Sequence, residues 1–248
     1  MNKSFFLSLV SLLFLVSISS CDKKNKGNFE VKLNGFVGAQ PLSFSNTIYS
    51  DGAGKDFFFN RLKFYISEVR LVRTDNTEVD VEDVAYFDYA DNNWKSFSVE
   101  APSGEYKGIK FNVGLNPTQN ATNPDDFKAS DPLGPKDDMF WEWLKHRFIN
   151  LEGKADVSGG SFVNGVGLVY HVGRDTCYRS VSLSNGNFII PDEGKKSINL
   201  NLDLLKVFKE QPAPIDMFLK PGTQSEDNDL SIAIQFADQF SKSFSYSE

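Results

Sequence analysis

The strongest constraint on the fold is a succession of short segments in which large apolar side chains alternate with polar ones. In FEVKLNGFV, positions 29–37, Phe29, Val31 and Leu33 alternate with charged or polar neighbours, the two-residue period of a strand with one buried face. The run from Phe57 to Thr74 carries this period on Leu62, Phe64 and Ile66, then slips by one residue to Val69 and Leu71. A bulge near Ser67-Glu68 accounts for the slip, and Thr74-Asp75-Asn76 supplies a hairpin turn into a strand over Val79 to Tyr89. A Pro-Ser-Gly turn separates a segment starting at Val99 from Tyr106 to Leu115, where Ile109, Phe111 and Val113 share a face. Further strands are expected over Phe148 to Val157, Phe162 to His171, Cys177 to Leu183, Phe188 to Ile190, Lys196 to Asp203 and Asp229 to Phe236. Ser158-Gly159-Gly160 reads as a turn and Leu204 to Lys209 as a helical turn. No repeat or heptad interrupts the pattern, so the expected fold is all-β, an antiparallel β-sandwich with short helical insertions.

The first twenty residues stand apart from this pattern. Lys3 precedes an almost wholly apolar run, Phe5 to Val16, too short for a stable membrane span. It leads into Ile18-Ser19-Ser20-Cys21, the form of a bacterial lipoprotein cleavage box. The expected organisation is a lipoprotein signal peptide over 1–20, a flexible tether over 21–27 and one β domain over 28–248. Cys21 would carry the lipid, which anchors the protein in the bacterial cell envelope, and the lack of an acidic run after Asp22 favours a periplasm-facing position. Cys177 is then the lone thiol, read as a buried small hydrophobe, a metal ligand or a reactive group. The formal net charge of −7 excludes the basic footprint that nucleic-acid binding requires. No helix-forming apolar run after the leader suggests a second membrane segment.

Candidate chemistry is concentrated in DDMFWEWLKHRFINLEG, positions 137–153. It holds Trp141 and Trp143, two of three tryptophans, with Met139 and His146, one of two histidines. Such a cluster suits a hydrophobic core. It also suits a soft-metal site, because thioether and imidazole both bind copper. With Asp137 or Asp138 as N-cap, a short helix would place Met139, Trp143 and His146 on one face. The preceding stretch, 116–138, has four Pro and five Asp and no strand periodicity; it lacks the spacing of a calcium loop. No phosphate loop, Gly-x-Ser-x-Gly elbow, Cys-x-x-Cys or His-Glu-x-x-His is present. Cys177 with His146 or His171 forms only a nominal hydrolase dyad, so no enzymatic activity is expected.

These elements occur in an order that resembles one known family. Phe64-Tyr65-Ile66-Ser67-Glu68-Val69-Arg70-Leu71 is followed by Gly104 to Leu115 (GEYKGIKFNVGL). After these come Asp138-Met139-Phe140-Trp141-Glu142-Trp143, Leu151-Glu152-Gly153, Tyr170-His171-Val172-Gly173 and Cys177. With the lipobox, this order is similar to the MbnP family of periplasmic copper-binding proteins of methanobactin operons, related to MopE and CorA. The resemblance implies a β-sandwich-like domain binding one copper ion through histidine. By position it marks His171 as the first ligand, with His146 as a second candidate; Met139, Cys177, Asp138 and an oxidised Trp carbonyl are the candidates for a further donor. It also implies that Trp141, or Trp143 behind it, can be oxidised to kynurenine by a di-haem enzyme of the MauG type. The function expected is copper acquisition, storage or transfer. The alternative is a non-metal ligand-binding or structural envelope lipoprotein on the same scaffold.

Overall fold

The computed structural model describes residues 25–44, 47–52, 54–156, 162–184, 186–209 and 214–247. The leader, Cys21 and the Ser158-Gly159-Gly160 turn lie outside the described residues. The chain opens with β1 (Lys26–Val37), β2 (Gln40–Pro41), β3 (Tyr49–Ser50), β4 (Asp56–Arg73) and β5 (Glu78–Asp88). It continues through β6 (Ser96–Pro102), β7 (Gly104–Val113), α1 (Pro117–Asn120), β8 (Phe140–Trp141), β9 (Lys145–Asp156) and β10 (Val166–Gly173). The last part holds β11 (Arg179–Leu183), β12 (Phe188–Ile190), β13 (Lys195–Asp203), α2 (Leu204–Lys209), β14 (Gly222–Thr223), α3 (Leu230–Lys242) and β15 (Phe244–Ser247). Strand occupies 51% of the described residues and helix 15%, which makes the fold all-β and sandwich-like.

One sheet has the order β15-β13-β1-β2, with β6 also paired to β1; the larger one runs β11-β7-β4-β9-β10-β14. Most ladders are antiparallel, but β1–β13 and β10–β14 are parallel, because β13 and β14 reach their partners by long returns rather than hairpins. Aromatic pairs close the space between the sheets: Phe29 stacks on Phe188 with centroids 5.6 Å apart, and Phe111 meets Phe244 at 5.3 Å. β1 starts at Lys26, paired to Pro102, so the strand begins inside the expected tether.

β4 crosses both ends of the core and changes its inward parity twice. Phe57 and Phe59 are buried, then Leu62, Phe64 and Ile66, then Val69 and Leu71. The second change is the expected bulge, with Glu68 at φ 51°. The first lies between Phe59 and Arg61 in the pairing with β9. There Gly153 faces β4, and a Cβ at that position would collide with the carbonyl oxygen of Phe58.

The segment from Asp229 onward is helical where a strand is expected. Its buried positions Ala233, Phe236, Ala237 and Phe240 recur at helical spacing. Phe236 stacks on Tyr170 at 4.5 Å and Phe240 meets Phe64 at 5.4 Å, so α3 covers the inner face of β10 and β4. Tyr170 points to this core, and the next residue of β10, His171, therefore lies on the opposite face.

Candidate metal centre

The aromatic stretch forms a β-hairpin rather than a helix. Phe140 pairs with His146 and Trp141 with Lys145, and the turn closes through Leu144 N–H to Trp141 O at 3.0 Å. Asp138 and Lys145 take positive φ of 60° and 64° at its two ends, which no helix tolerates. Pairing with the long strand β9 overrides a helical pattern of only three matching positions.

Strand alternation then sends adjacent aromatic rings to different neighbours. Phe140 lies edge-on to His146 at 5.3 Å, whereas Trp141 lies edge-on to His171 at 5.8 Å. Trp143 lies tilted against Trp141, with ring centroids 5.6 Å apart, and is 52% exposed. Of the expected group, His171, Trp141 and Trp143 come together. His146 sits apart from them, on the other side of the hairpin.

His146 is fully buried between Phe140 and Tyr65, with Nε2 3.3 Å from Thr122 Oγ1 and no partner on Nδ1 among the described residues. Burial holds its pKa down to about 4, so the ring is neutral at pH 7. Met139 is buried in the hydrophobic core. Cys177 lies in the turn before β11, where burial pushes the thiol up to about 11, the opposite of an activated nucleophile.

His171 is held at both ring nitrogens. Nδ1 is 2.8 Å from Gln224 Oε1 and Nε2 is 2.7 Å from Glu152 Oε1. The same Glu152 oxygen accepts from Arg61 Nη1 at 3.0 Å, and Arg61 also binds Asp138 Oδ2 at 2.7 Å. The bulge opposite Gly153 sets Arg61 against Glu152 in the ladder. Arg147, 2% exposed, places its guanidinium 3.5 Å from the Trp141 ring centroid and donates to Asp138 O at 2.5 Å. Burial lowers its pKa to about 10, opposed by Asp138 and Glu152, so it remains a cation at neutral pH. Arg147 faces Trp141 because the β9–β10 register shifts between Ile149 and Arg147.

The donor set can be tested against copper. Asn150 lies directly across from His171 in the ladder, on the same face. It is fully buried and its Oδ1 has no partner among the described residues, a carbonyl oxygen available to a cation. Imidazole nitrogen with an amide oxygen beside an apolar Trp wall fits copper, and Glu152 on the other ring nitrogen supplies the outer support that metal-binding histidines use. Among the described residues, no three His, Cys, Asp or Glu side chains gather into a ready-made cluster. The residues that would hold the ion are therefore His171 and Asn150, with Glu152 fixing the orientation of the imidazole. An open depression of about 480 Å³, lined by Trp141, Glu142, Trp143, Gln224 and Glu226, leads to Gln224.

Sequence reasoning missed Gln224, Arg61, Arg147 and Asn150 as site residues. Glu152 was visible only within the Leu-Glu-Gly element. Gln224 carries no signal of its own, since 53 residues separate it from His171.

Comparison with known proteins agrees with this architecture. No curated protein matches the sequence. The solved structure of MbnP from Methylosinus trichosporium superposes with a TM-score of 0.58, covering 84% of this chain and 87% of that one at 16% identity; at this identity the likeness establishes the fold. The sequence profile of the MbnP family matches residues 26–228, spanning both sheets and every residue around His171. On that match, the chain belongs to the MbnP family.

Proposed function

We propose that this protein binds one copper ion at His171, for acquisition, storage or transfer in the bacterial envelope, without turnover of its own. The observation that carries the reading is the His171 imidazole, fixed by Glu152 and Gln224 behind the Trp141 ring. When bound, copper would supply reversible one-electron chemistry and ligand exchange. Glu152 orients the ring and is itself held by Arg61. Trp141 and Arg147 exclude water from the inner side. The lipobox at Cys21 supports an anchor on the envelope membrane, with the β domain facing the periplasm.

The contact of Trp141 with half-exposed Trp143 supports a second step, oxidation of a tryptophan to kynurenine by a di-haem partner of the MauG type. A competing reading has a specific basis: both ring nitrogens of His171 are already satisfied, as in a purely structural network on a non-metal scaffold. Metal analysis and intact mass of protein from its own envelope, beside a His171→Ala variant, separate these readings. The copper reading expects near-stoichiometric metal in the wild type and at least a tenfold weaker binding in His171→Ala with unchanged circular dichroism. Absence of copper after loading with Cu⁺ and Cu²⁺ would leave the structural reading. A mass change localised to Trp141 or Trp143 is the signature of the oxidising partner.

A further inference from the structure

The geometry points to Nδ1 of His171 as the metal-facing nitrogen, with the Gln224 side chain as a displaceable gate and Glu152 as the fixed anchor on Nε2. This inference rests on the copper reading and assigns its donor atom and its route of access. The two contacts of the imidazole differ in kind. On Nε2, the Glu152 carboxylate is tied to Arg61, Arg61 to Asp138, and the Asp138 carbonyl to buried Arg147 and Asn150. Displacing Glu152 would disturb that whole chain of contacts, and hydrogen bonds to ionised groups are roughly twice as strong as neutral ones. On Nδ1 there is one neutral amide.

Gln224 also occupies the right place. Its side chain lines the open depression together with Trp141, Glu142, Trp143 and Glu226, whereas His171 is only 7% exposed behind it. The backbone beneath it is pinned: Gln224 N–H donates to Asp229 Oδ2 at 2.8 Å, Thr223 Oγ1 donates to Asp229 Oδ1 at 2.8 Å, and Ser225 Oγ donates to His171 O at 3.0 Å. The side chain can therefore swing about its own torsions while β14 stays paired to β10. Glu142 and Glu226 give the depression two carboxylates that favour arrival of a cation. Asn150 Oδ1, buried and without a partner among the described residues, lies across the ladder from His171 on the β9 side.

The test uses the ¹⁵N-labelled mature chain, whose two histidines give four ring nitrogens, followed by long-range ¹H–¹⁵N correlation during Cu⁺ addition. The expected result is a large shift of His171 Nδ1 at one equivalent, with its Nε2 still an N–H resonance. A shift at Nε2 with loss of that N–H overturns the inference while leaving the copper reading intact. Gln224→Leu, with unchanged circular dichroism, is expected to load Cu⁺ at least fivefold faster in stopped flow; an unchanged or slower rate overturns the gate. Should that variant not fold, the wild-type resonances alone decide the donor atom. If no His171 resonance responds and no Cu²⁺ is bound by electron paramagnetic resonance, the copper reading falls and the inference with it.

Discussion

At the residue scale, the two histidines have opposite environments and so opposite consequences. His171 is tied to charged and polar partners, whereas His146 is sealed among Tyr65 and Phe140 with one nitrogen unpaired. For His146 the folded pKa of about 4 lies below the ordinary imidazole value of 6.5. The unfolded chain therefore binds the extra proton first, and stability rises with pH across this window. The contribution is fully present above pH 6.5 and is lost as pH falls through about 4. It amounts to at most roughly 3 kcal/mol, because each tenfold difference in proton affinity is worth about 1.4 kcal/mol. Urea unfolding at pH 7 and pH 4.5 should show the loss in the wild type, and a smaller one in His146→Phe. Equal losses in both proteins would place the pH sensitivity elsewhere. The Cys177 thiol has no comparable role: burial raises its pKa, and Cys177→Ala is expected to leave copper binding unchanged.

At the scale of elements, the centre depends on irregularities in regular strands. The shift between Phe59 and Arg61 brings Arg61 to Glu152, and the close approach that permits it requires a residue without Cβ at 153. Gly153→Ala forces β4 and β9 apart. It is expected to destabilise the fold by about 1–3 kcal/mol, as overpacking does, and to weaken copper binding by freeing Glu152 from Arg61. Thermal unfolding and metal retention measured together check this; a stable variant with full copper affinity would remove the role given to the bulge. The same scale holds the two misread elements. From Asp229 the large side chains Leu230, Ile232, Ile234 and Phe236 alternate like a strand, yet the buried helical face uses Ala233, Phe236, Ala237 and Phe240. Ala233 and Ala237 complete that helical period but carry a weak apolar signal, and the half-buried Leu230, Ile232 and Ile234 obscured it. In the hairpin at 140–146, three residues at helical spacing outweighed the turn, because the partner strand was not visible locally.

Across the whole molecule, a sandwich-like pair of sheets with α2 and α3 over its inner face leaves the outer face of β9 and β10 for the centre. The tether from Cys21 to β1 would hold that face outside the membrane. Cys21→Ser is expected to move the protein from the membrane to the soluble fraction of the envelope, with copper binding unchanged; detergent-free fractionation reads this directly. Retention in the membrane would remove the lipid anchor from the proposal.

The sequence by itself determined most of the strands, though not the stretch from Asp229, together with the bulge at Glu68, the aromatic hairpin's composition and, through motif order, the family. Each of these is local: period two, a turn triplet or a run of neighbours is written in adjacent residues. Tertiary structure alone decided that the hairpin is not a helix, that α3 is one, and which groups surround His171. Glu152, Gln224 and Arg61 reach the centre over separations of 19, 53 and 91 residues along their contacts. Such contacts depend on strand order, register and two bulges, and strand pairing between distant segments leaves no local periodic mark.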